Sequence, residues 1–300
     1  MQTYIEDSCI RVKASPKAET EFERAVTREQ FSLRYQPWID PRGGRAEGIE
    51  ALLSWRHPVL GDIPQSRFMP TAKAMGFADV IVEQLLHETC GHGQGWLDAG
   101  LSSLHLAVNV PAENVASSEF VFLVAQCLDD SGLAPENLDL VLALRDALAH
   151  ADRIVESMHA LRELGVSLTI ANVDSANACM GLVKLFPANR IKLDDYLVRR
   201  LSVDPSASSV AETIVNLAHA KEMLVIAEQV DTAAQASRLA DDLHCDLLQG
   251  SHYGQALAAG ECLELLRSDG VQPREPAGRP EEKRFHFPAV WGRIICGHSA

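Results

Sequence analysis

From residue 66 onward the chain repeats one rhythm, a helix-patterned stretch followed by a short apolar run, and that rhythm leaves few architectures open. Helical periodicity over 66–76 and 79–98 precedes the apolar run 104–110, and a helix over 117–131 precedes the run 138–144. A helix over 147–164 stops at Gly165 before the strand 166–172. Further strands are expected at 190–194, 223–228 and 246–249, with helices over 207–221 and 232–243 between them. Upstream, a short helix begins near Glu21 with Phe22, Ala25 and Val26 on one face. Phe31, Leu33 and Tyr35 then alternate up to Pro37, where the first strand is expected to end. After the turn Asp40-Pro41-Arg42-Gly43-Gly44 a second strand runs over 48–55, and the two pair as a hairpin. Alternating units of this spacing build a parallel sheet, and eight strands build a closed barrel. A flat doubly wound sheet is the rival that periodicity leaves standing.

Charge narrows the partners. The 27 basic residues face 41 acidic ones, a net charge of −14, which repels nucleic acid and acidic membrane surfaces, so neither is expected as a partner. A small anionic ligand held by one local cluster of donors is still admitted. The 7 cysteines are scattered and odd in number, which points to free thiols in a reducing cytosol and not to a disulfide framework. The first residues lack a basic region followed by an apolar stretch, and no apolar run reaches the length of a membrane span, so a cytoplasmic protein is expected. Residues 1–21 read as a tail or linker and 22–267 as the barrel domain. Residues 268–300, rich in Pro, Gly and mixed charge, read as a partly disordered appendage.

Parallel barrels collect their chemistry at the C-terminal ends of the strands. Five polar residues sit at such places: Glu50 inside Ile49-Glu50-Ala51-Leu52-Leu53, Asn109 closing Leu106-Ala107-Val108-Asn109, Lys192 within Arg190-Ile191-Lys192-Leu193-Asp194, Glu228 after Leu224-Val225-Ile226-Ala227, and Gln249 after Leu247-Leu248. A carboxylate among apolar residues needs a cation or hydrogen-bond donors to offset its desolvation. Taken singly each residue has a packing explanation, Glu50 pairing with Lys192 or Asn109 capping a loop. Taken together they come from five strands and converge on one mouth.

The order of these motifs resembles the EAL family of cyclic di-GMP phosphodiesterases. The resemblance rests on Tyr35-Gln36-Pro37, Glu50-Ala51-Leu52-Leu53 with Trp55-Arg56-His57-Pro58, Phe68-Met69-Pro70-Thr71-Ala72 with Gly76, Val108-Asn109, Ile191-Lys192-Leu193-Asp194, Ala227-Glu228-Gln229-Val230-Asp231 and Gln249-Gly250. It implies a modified TIM-type (β/α)8 barrel with one antiparallel strand. It also implies hydrolysis of cyclic di-GMP by two Mg²⁺ or Mn²⁺ ions that activate a water. By position Glu50, Asn109 and Glu228 correspond to metal ligands, Glu228 and Lys192 to catalytic groups, and Gln36, Glu50, Leu52 and Gln249 to ligand-binding positions.

The departures from that pattern decide the expectation. Val141 stands where the family carries a metal-binding glutamate, and Ala171 and Asn172 stand where it carries two metal-bridging aspartates. Ser54 replaces an arginine that contacts the ligand's phosphate, with Arg56 as a separate family position, and Lys73 replaces an acid. Two divalent ions about 4 Å apart need hard oxygen ligands and a shared bridging oxygen, which an alanine does not supply. The site is therefore expected to be vestigial and metal-free, Mg²⁺ or Mn²⁺ entering only through a residual site at Glu50, Asn109 and Glu228. The leading expectation is a non-catalytic regulatory domain acting through another protein, a homodimer being compatible with this. The alternatives are a cyclic di-GMP receptor without turnover and a weak residual phosphodiesterase. His87, Cys90 and His92 have no evident fourth ligand and do not make a zinc site. Gly91, Gly93 and Gly95 follow no strand, which argues against a phosphate loop, and are expected to loosen or break their helix. Asp174-Ser175-Ala176-Asn177 reads as a turn into the next helix.

Overall fold

A strand points successive side chains to opposite faces, so a barrel strand offers every second residue to the interior and the rest to the covering helices. The computed structural model describes residues 22, 24–25, 30–101 and 104–267, and the expected tail and appendage lie outside them. The strands are β1 (Phe31–Ile39), β2 (Ala46–His57), β3 (Gly61–Pro64), β4 (His105–Asn109), β5 (Leu138–Ala143), β6 (Ser167–Val173), β7 (Arg190–Leu193), β8 (Leu224–Ala227) and β9 (Leu247–Leu248). Their order in the sheet is β1-β9-β8-β7-β6-β5-β4-β2-β3, and a further β1–β2 pairing closes the ring. Parallel ladders run from β2 and β4 round to β8 and β9, whereas β1 pairs antiparallel with β9. The fold is thus a modified (β/α)8 barrel of the TIM type with one antiparallel strand, and β3 is an additional strand.

By its internal contacts the chain divides into two compact units. The larger takes in Leu33–Leu52 and the described residues from Val82 onward, and holds most of the barrel. Trp38, Ala107, Val141, Ala171, Ile226 and Leu247 form a buried apolar layer inside it. Asp139 and Thr169, two residues before Val141 and Ala171 on β5 and β6, join Arg190 of β7 in a polar set: the Asp139 carboxylate accepts from Arg190 at 2.7 Å and from Thr169 at 2.9 Å. The period of two along β5 and β6 stacks this set against the layer. In the smaller unit, which includes Leu53–Ile81, β3 folds back on the end of β2 with Trp55 opposite Ile63. The ring of Trp55 packs 4.8 Å from Phe22, and Phe31 lies 5.4 Å from Phe68.

Several expectations about boundaries are corrected. β1 continues through Pro37 to Ile39, because proline removes a donor but leaves the acceptor, and Trp38 and Ile39 beyond it are fully buried. β3 was not expected, since four residues with one buried side chain, Ile63, are too short to show a period. The turn before it is held by His57, whose Nδ1 accepts from the backbone of Val59 and Leu60 at 3.2 and 3.1 Å. The single helix expected over 147–164 is two, Leu144–Ala149 and Ala151–Glu163, parted at His150.

The glycine-rich helix is continuous from Ala78 to Asp98 and is neither loosened nor broken. A β-carbon on Gly93 would lie 2.0 Å from the Leu106 side chain, so this glycine permits close approach of the helix to β4. Gly91 and Gly95 face open space. Tertiary packing of the buried face outweighs the propensity cost of three glycines, about 1 kcal/mol each. Gly91→Ala and Gly95→Ala are expected to stabilise the protein by ~0.5–1 kcal/mol each. Gly93→Ala should destabilise it by ~1–3 kcal/mol through overpacking. Urea unfolding of the three variants checks the contrast, and equal effects would show that Gly93 has no packing role.

Candidate functional site

At the C-terminal ends of the barrel strands the five strand-end polar residues meet. β7 carries Lys192 inward, and its Nζ lies 2.8 Å from Glu50 Oε2 on β2 and 3.0 Å from Glu228 Oε2 just past β8. Asn109, the last residue of β4, donates its Nδ2 to Glu50 Oε1 at 2.7 Å. Gln249, just past β9, donates its Nε2 to Glu50 Oε2 at 2.8 Å. Both oxygens of Glu50 are therefore engaged by protein donors. The indole of Trp38 lies beside the cluster, with Lys192 Nζ 5.7 Å from its ring centroid.

Burial sets the electrostatics. The side chains of Lys192 and Glu50 are 1% and 5% exposed, that of Glu228 24%. Burial alone would raise the pKa of Glu50, but the Lys192 ammonium and the hydrogen bonds from Lys192, Asn109 and Gln249 outweigh it and hold the group below the ordinary carboxylate range. Desolvation disfavours the charge on Lys192, yet Glu228 and Glu50 beside it carry its pKa above the usual lysine value. Glu228 goes the other way: burial and the neighbouring Glu50 charge raise it despite Lys192. Lys192 is thus a firmly charged cation, Glu50 its principal partner, and Glu228 the least favourably ionised member.

Val141 on β5 is the register partner of Asn109 on β4. Val141 and Ala171 are in the apolar layer, 1% and 7% exposed. Asn172 is exposed at a register break in β6, with a left-handed φ of 60° that asparagine tolerates better than most residues. Ser54 hydrogen-bonds Ser32 at 2.9 Å in the smaller unit, where Arg56 is exposed and Lys73 half-buried. Gln36 donates to the carbonyl of Gly254 at 3.0 Å, and Leu52 is half-buried. Asp194 caps the helix Asp195–Arg200 by accepting from the Tyr196 amide. Cys90 is buried in its helix and His92 Nδ1 lies 2.6 Å from the Tyr35 hydroxyl, so both have packing roles.

The donors do not fit a pair of divalent ions. Four positive charges would face two carboxylates already compensated by an ammonium, and the adjoining layer offers only apolar side chains. Among the described residues no group of three or more His, Cys, Asp and Glu is arranged to hold a metal ion.

Reading the sequence missed Asp139, Thr169 and Arg190 as an interior set, and Trp38 as a neighbour of Lys192. A signal existed: Asp139 interrupts an apolar run, and Arg190 precedes Lys192 by two residues, hence on the same strand face.

Comparison with known proteins supplies the context. Residues 19–256 match the EAL domain. The cyclic di-GMP phosphodiesterase NbdA of Pseudomonas aeruginosa is 29% identical over 259 residues, covering 86% of this chain and 33% of that protein. The bifunctional diguanylate cyclase/cyclic di-GMP phosphodiesterase MucR of the same organism is 31% identical over 243 residues, 81% of this chain and 35% of that protein. The chain thus spans about a third of the length of these curated relatives. The solved PaMucR phosphodiesterase in complex with c-di-GMP superposes with a TM-score of 0.75 at 30% identity, covering 81% of this chain and 98% of that one. The FimX EAL domain from Pseudomonas aeruginosa, bound to c-di-GMP, shares the fold at 20% identity, with a TM-score of 0.71 and coverage of 79% and 95%.

The two carboxylates of the cluster should respond differently to neutralisation. Glu50→Gln leaves Lys192 buried against a weakened partner and should cost ~3–5 kcal/mol at neutral pH. Glu228→Gln removes a carboxylate that the fold holds above its ordinary pKa, and should leave stability within ~1 kcal/mol of the parent. Glu50's contribution is present above the ordinary carboxylate pKa and is lost as pH falls through its depressed folded value, so the gap between parent and Glu50→Gln should narrow on acidification. Denaturant melts from neutral pH down to pH 3 measure this.

Proposed function

The chain belongs to the EAL domain family, and from that premise we propose that it serves cyclic di-GMP signalling without hydrolysing the dinucleotide, as a regulatory domain that acts by binding another protein. The observation that carries the proposal is the packing of Val141 and Ala171 into the apolar layer with Trp38, Ala107, Ile226 and Leu247. The Mg²⁺ or Mn²⁺ pair of the family's reaction polarises phosphate oxygens and lowers the pKa of a bound water. With Val and Ala at these positions, the carboxylates to fix both ions are lacking. A barrel keeps its fold when such ligands go, because core and site rest on different residues. A reducing cytoplasm suits the five described cysteines, all buried and free.

A second reading, a cyclic di-GMP receptor without turnover, is favoured by Gln36, half-buried and accepting from Gln249 of the cluster at 3.4 Å, and by Leu52, half-buried two residues past Glu50 on the same strand. It is favoured too by the 30% identity to a phosphodiesterase solved with c-di-GMP. Against it, Ser54 supplies no positive charge for a phosphate. Isothermal titration with cyclic di-GMP, with and without Mn²⁺, separates receptor from protein-binding domain.

Incubated with cyclic di-GMP in millimolar Mg²⁺ or Mn²⁺, the purified chain is expected to release no linear product above background, as followed by chromatography. Product formed at ordinary enzyme rates and abolished by Glu50→Ala would overturn the proposal in favour of a residual phosphodiesterase.

A further inference from the structure

We propose that the floor of the barrel, at the N-terminal ends of its strands, is a hydration site in which a buried water bridges the Asp139 carboxylate, the Arg190 guanidinium and the His105 imidazole. The site is separate from the cluster around Lys192 at the mouth and stands whether or not the chain turns over cyclic di-GMP.

Three strands bring its groups together. His105 opens β4, Arg190 opens β7, and Asp139 is the second residue of β5. His105 and Asp139 stand two residues before Ala107 and Val141 of the apolar layer, so both point inward as those residues do. Asp139 is fully buried and Arg190 nearly so, and they meet through Oδ2 and Nη1 at 2.7 Å. Thr169 donates to that same Oδ2 at 2.9 Å. Three atoms are left over. Asp139 Oδ1, Arg190 Nε and His105 Nδ1 are each out of contact with solvent, and each lacks a hydrogen-bond partner among the described residues. Buried polar atoms of native proteins are nearly always paired, with protein or with ordered water, because the alternative forfeits their hydration. Oδ1 and Nε flank one ion pair, each sharing a carbon with an atom of the 2.7 Å contact, and the Arg190 charge also acts on the His105 ring.

The donor and acceptor types select the occupant. A carboxylate oxygen accepts, a guanidinium Nε–H donates, and an imidazole nitrogen does either according to its tautomer. An anion would suit Arg190 but face Asp139, and a cation would meet the reverse conflict. Water donates and accepts at once, and two to four polar partners are what a buried water needs. The electrostatics agree with this. Burial lifts the pKa of Asp139 although Arg190 and Thr169 oppose it, whereas burial and the Arg190 charge hold His105 below the ordinary histidine value. The carboxylate is thus short of donors, and a water donating to Oδ1 supplies one.

Two measurements on the purified chain test this. A crystal structure that resolves ordered solvent should show a water within hydrogen-bond distance of Asp139 Oδ1 and of Arg190 Nε or His105 Nδ1. Oxygen-17 magnetic relaxation dispersion, with water itself as the probe, should lose the amplitude of one long-lived water when Asp139→Leu and Arg190→Met are combined. Replacing both members of a buried pair by apolar groups is often neutral for folding. Thr169→Val, which removes a donor to Oδ2 alone, should keep the parent amplitude. If the double variant does not fold, the crystal structure of the parent decides by itself. Protein atoms filling the space between Oδ1, Nε and Nδ1, or equal amplitudes in the parent and the folded double variant, would overturn the proposal. So would a melting temperature that depends on the identity of the monovalent salt in the parent and not in the double variant, since an ion would then hold the site.

Discussion

A lysine ammonium held between two carboxylates inside a barrel is a demanding arrangement, because each charge is tolerated only while the others are in place. Lys192 and Glu50 are 142 residues apart in sequence, and their contact ties β2 to β7 across the barrel mouth. Every strand that touches this cluster is constrained by it. Asn109 must end β4, and Gln249 must follow β9 at the depth that reaches Glu50. A one-residue slip in any of these registers would turn a charged or amide side chain toward the covering helices and an apolar one toward the mouth.

The interior beneath follows from the same alternation. Stepping by two along β7 from Lys192 leads back to Arg190, paired with Asp139, while Glu50 and Lys192 stand in register with Ala107 and Ile226 of the apolar layer. Each buried charge has an opposite charge on a different strand, so the polar levels specify register while the apolar level contributes the larger hydrophobic term. Trp38 shapes the apolar layer: a β-carbon on Gly48 would lie 2.7 Å from its ring, so a glycine makes room for the indole. Val141 and Ala171 belong to that packing, which gives these positions a structural role independent of any ligand chemistry.

Much of this was legible before any coordinates. The helix–strand rhythm, the early hairpin and the five strand-end polar residues were all readable, and the pairing of Glu50 with Lys192 was one of the packing explanations open to a buried carboxylate that demands a cation or donors. Other features were not. The helix through Gly91, Gly93 and Gly95 looked fragile by propensity, and only the approach of Leu106 explains why a glycine suits its middle. β3 is too short for periodicity and is held by a histidine cap that no pattern announces. The Asp139–Thr169–Arg190 set escaped notice because each residue looked like an isolated exception on its own strand.

The sequence by itself determined the class of fold, since periodicity is a local property and a chain of alternating strands and helices has few ways to bury its apolar faces. It also determined which residue types stand at the strand ends, with Val141, Ala171 and Asn172 at positions where the resemblance implies acids. Only the tertiary structure decided what replaced them: that Val141 and Ala171 pack around an indole, and that both oxygens of Glu50 are engaged by Asn109, Lys192 and Gln249. The reason is physical. A charge on one strand is compensated by groups on others that lie far away in the chain, and which of them comes within 3 Å is set by the closure of the barrel and the register of its strands.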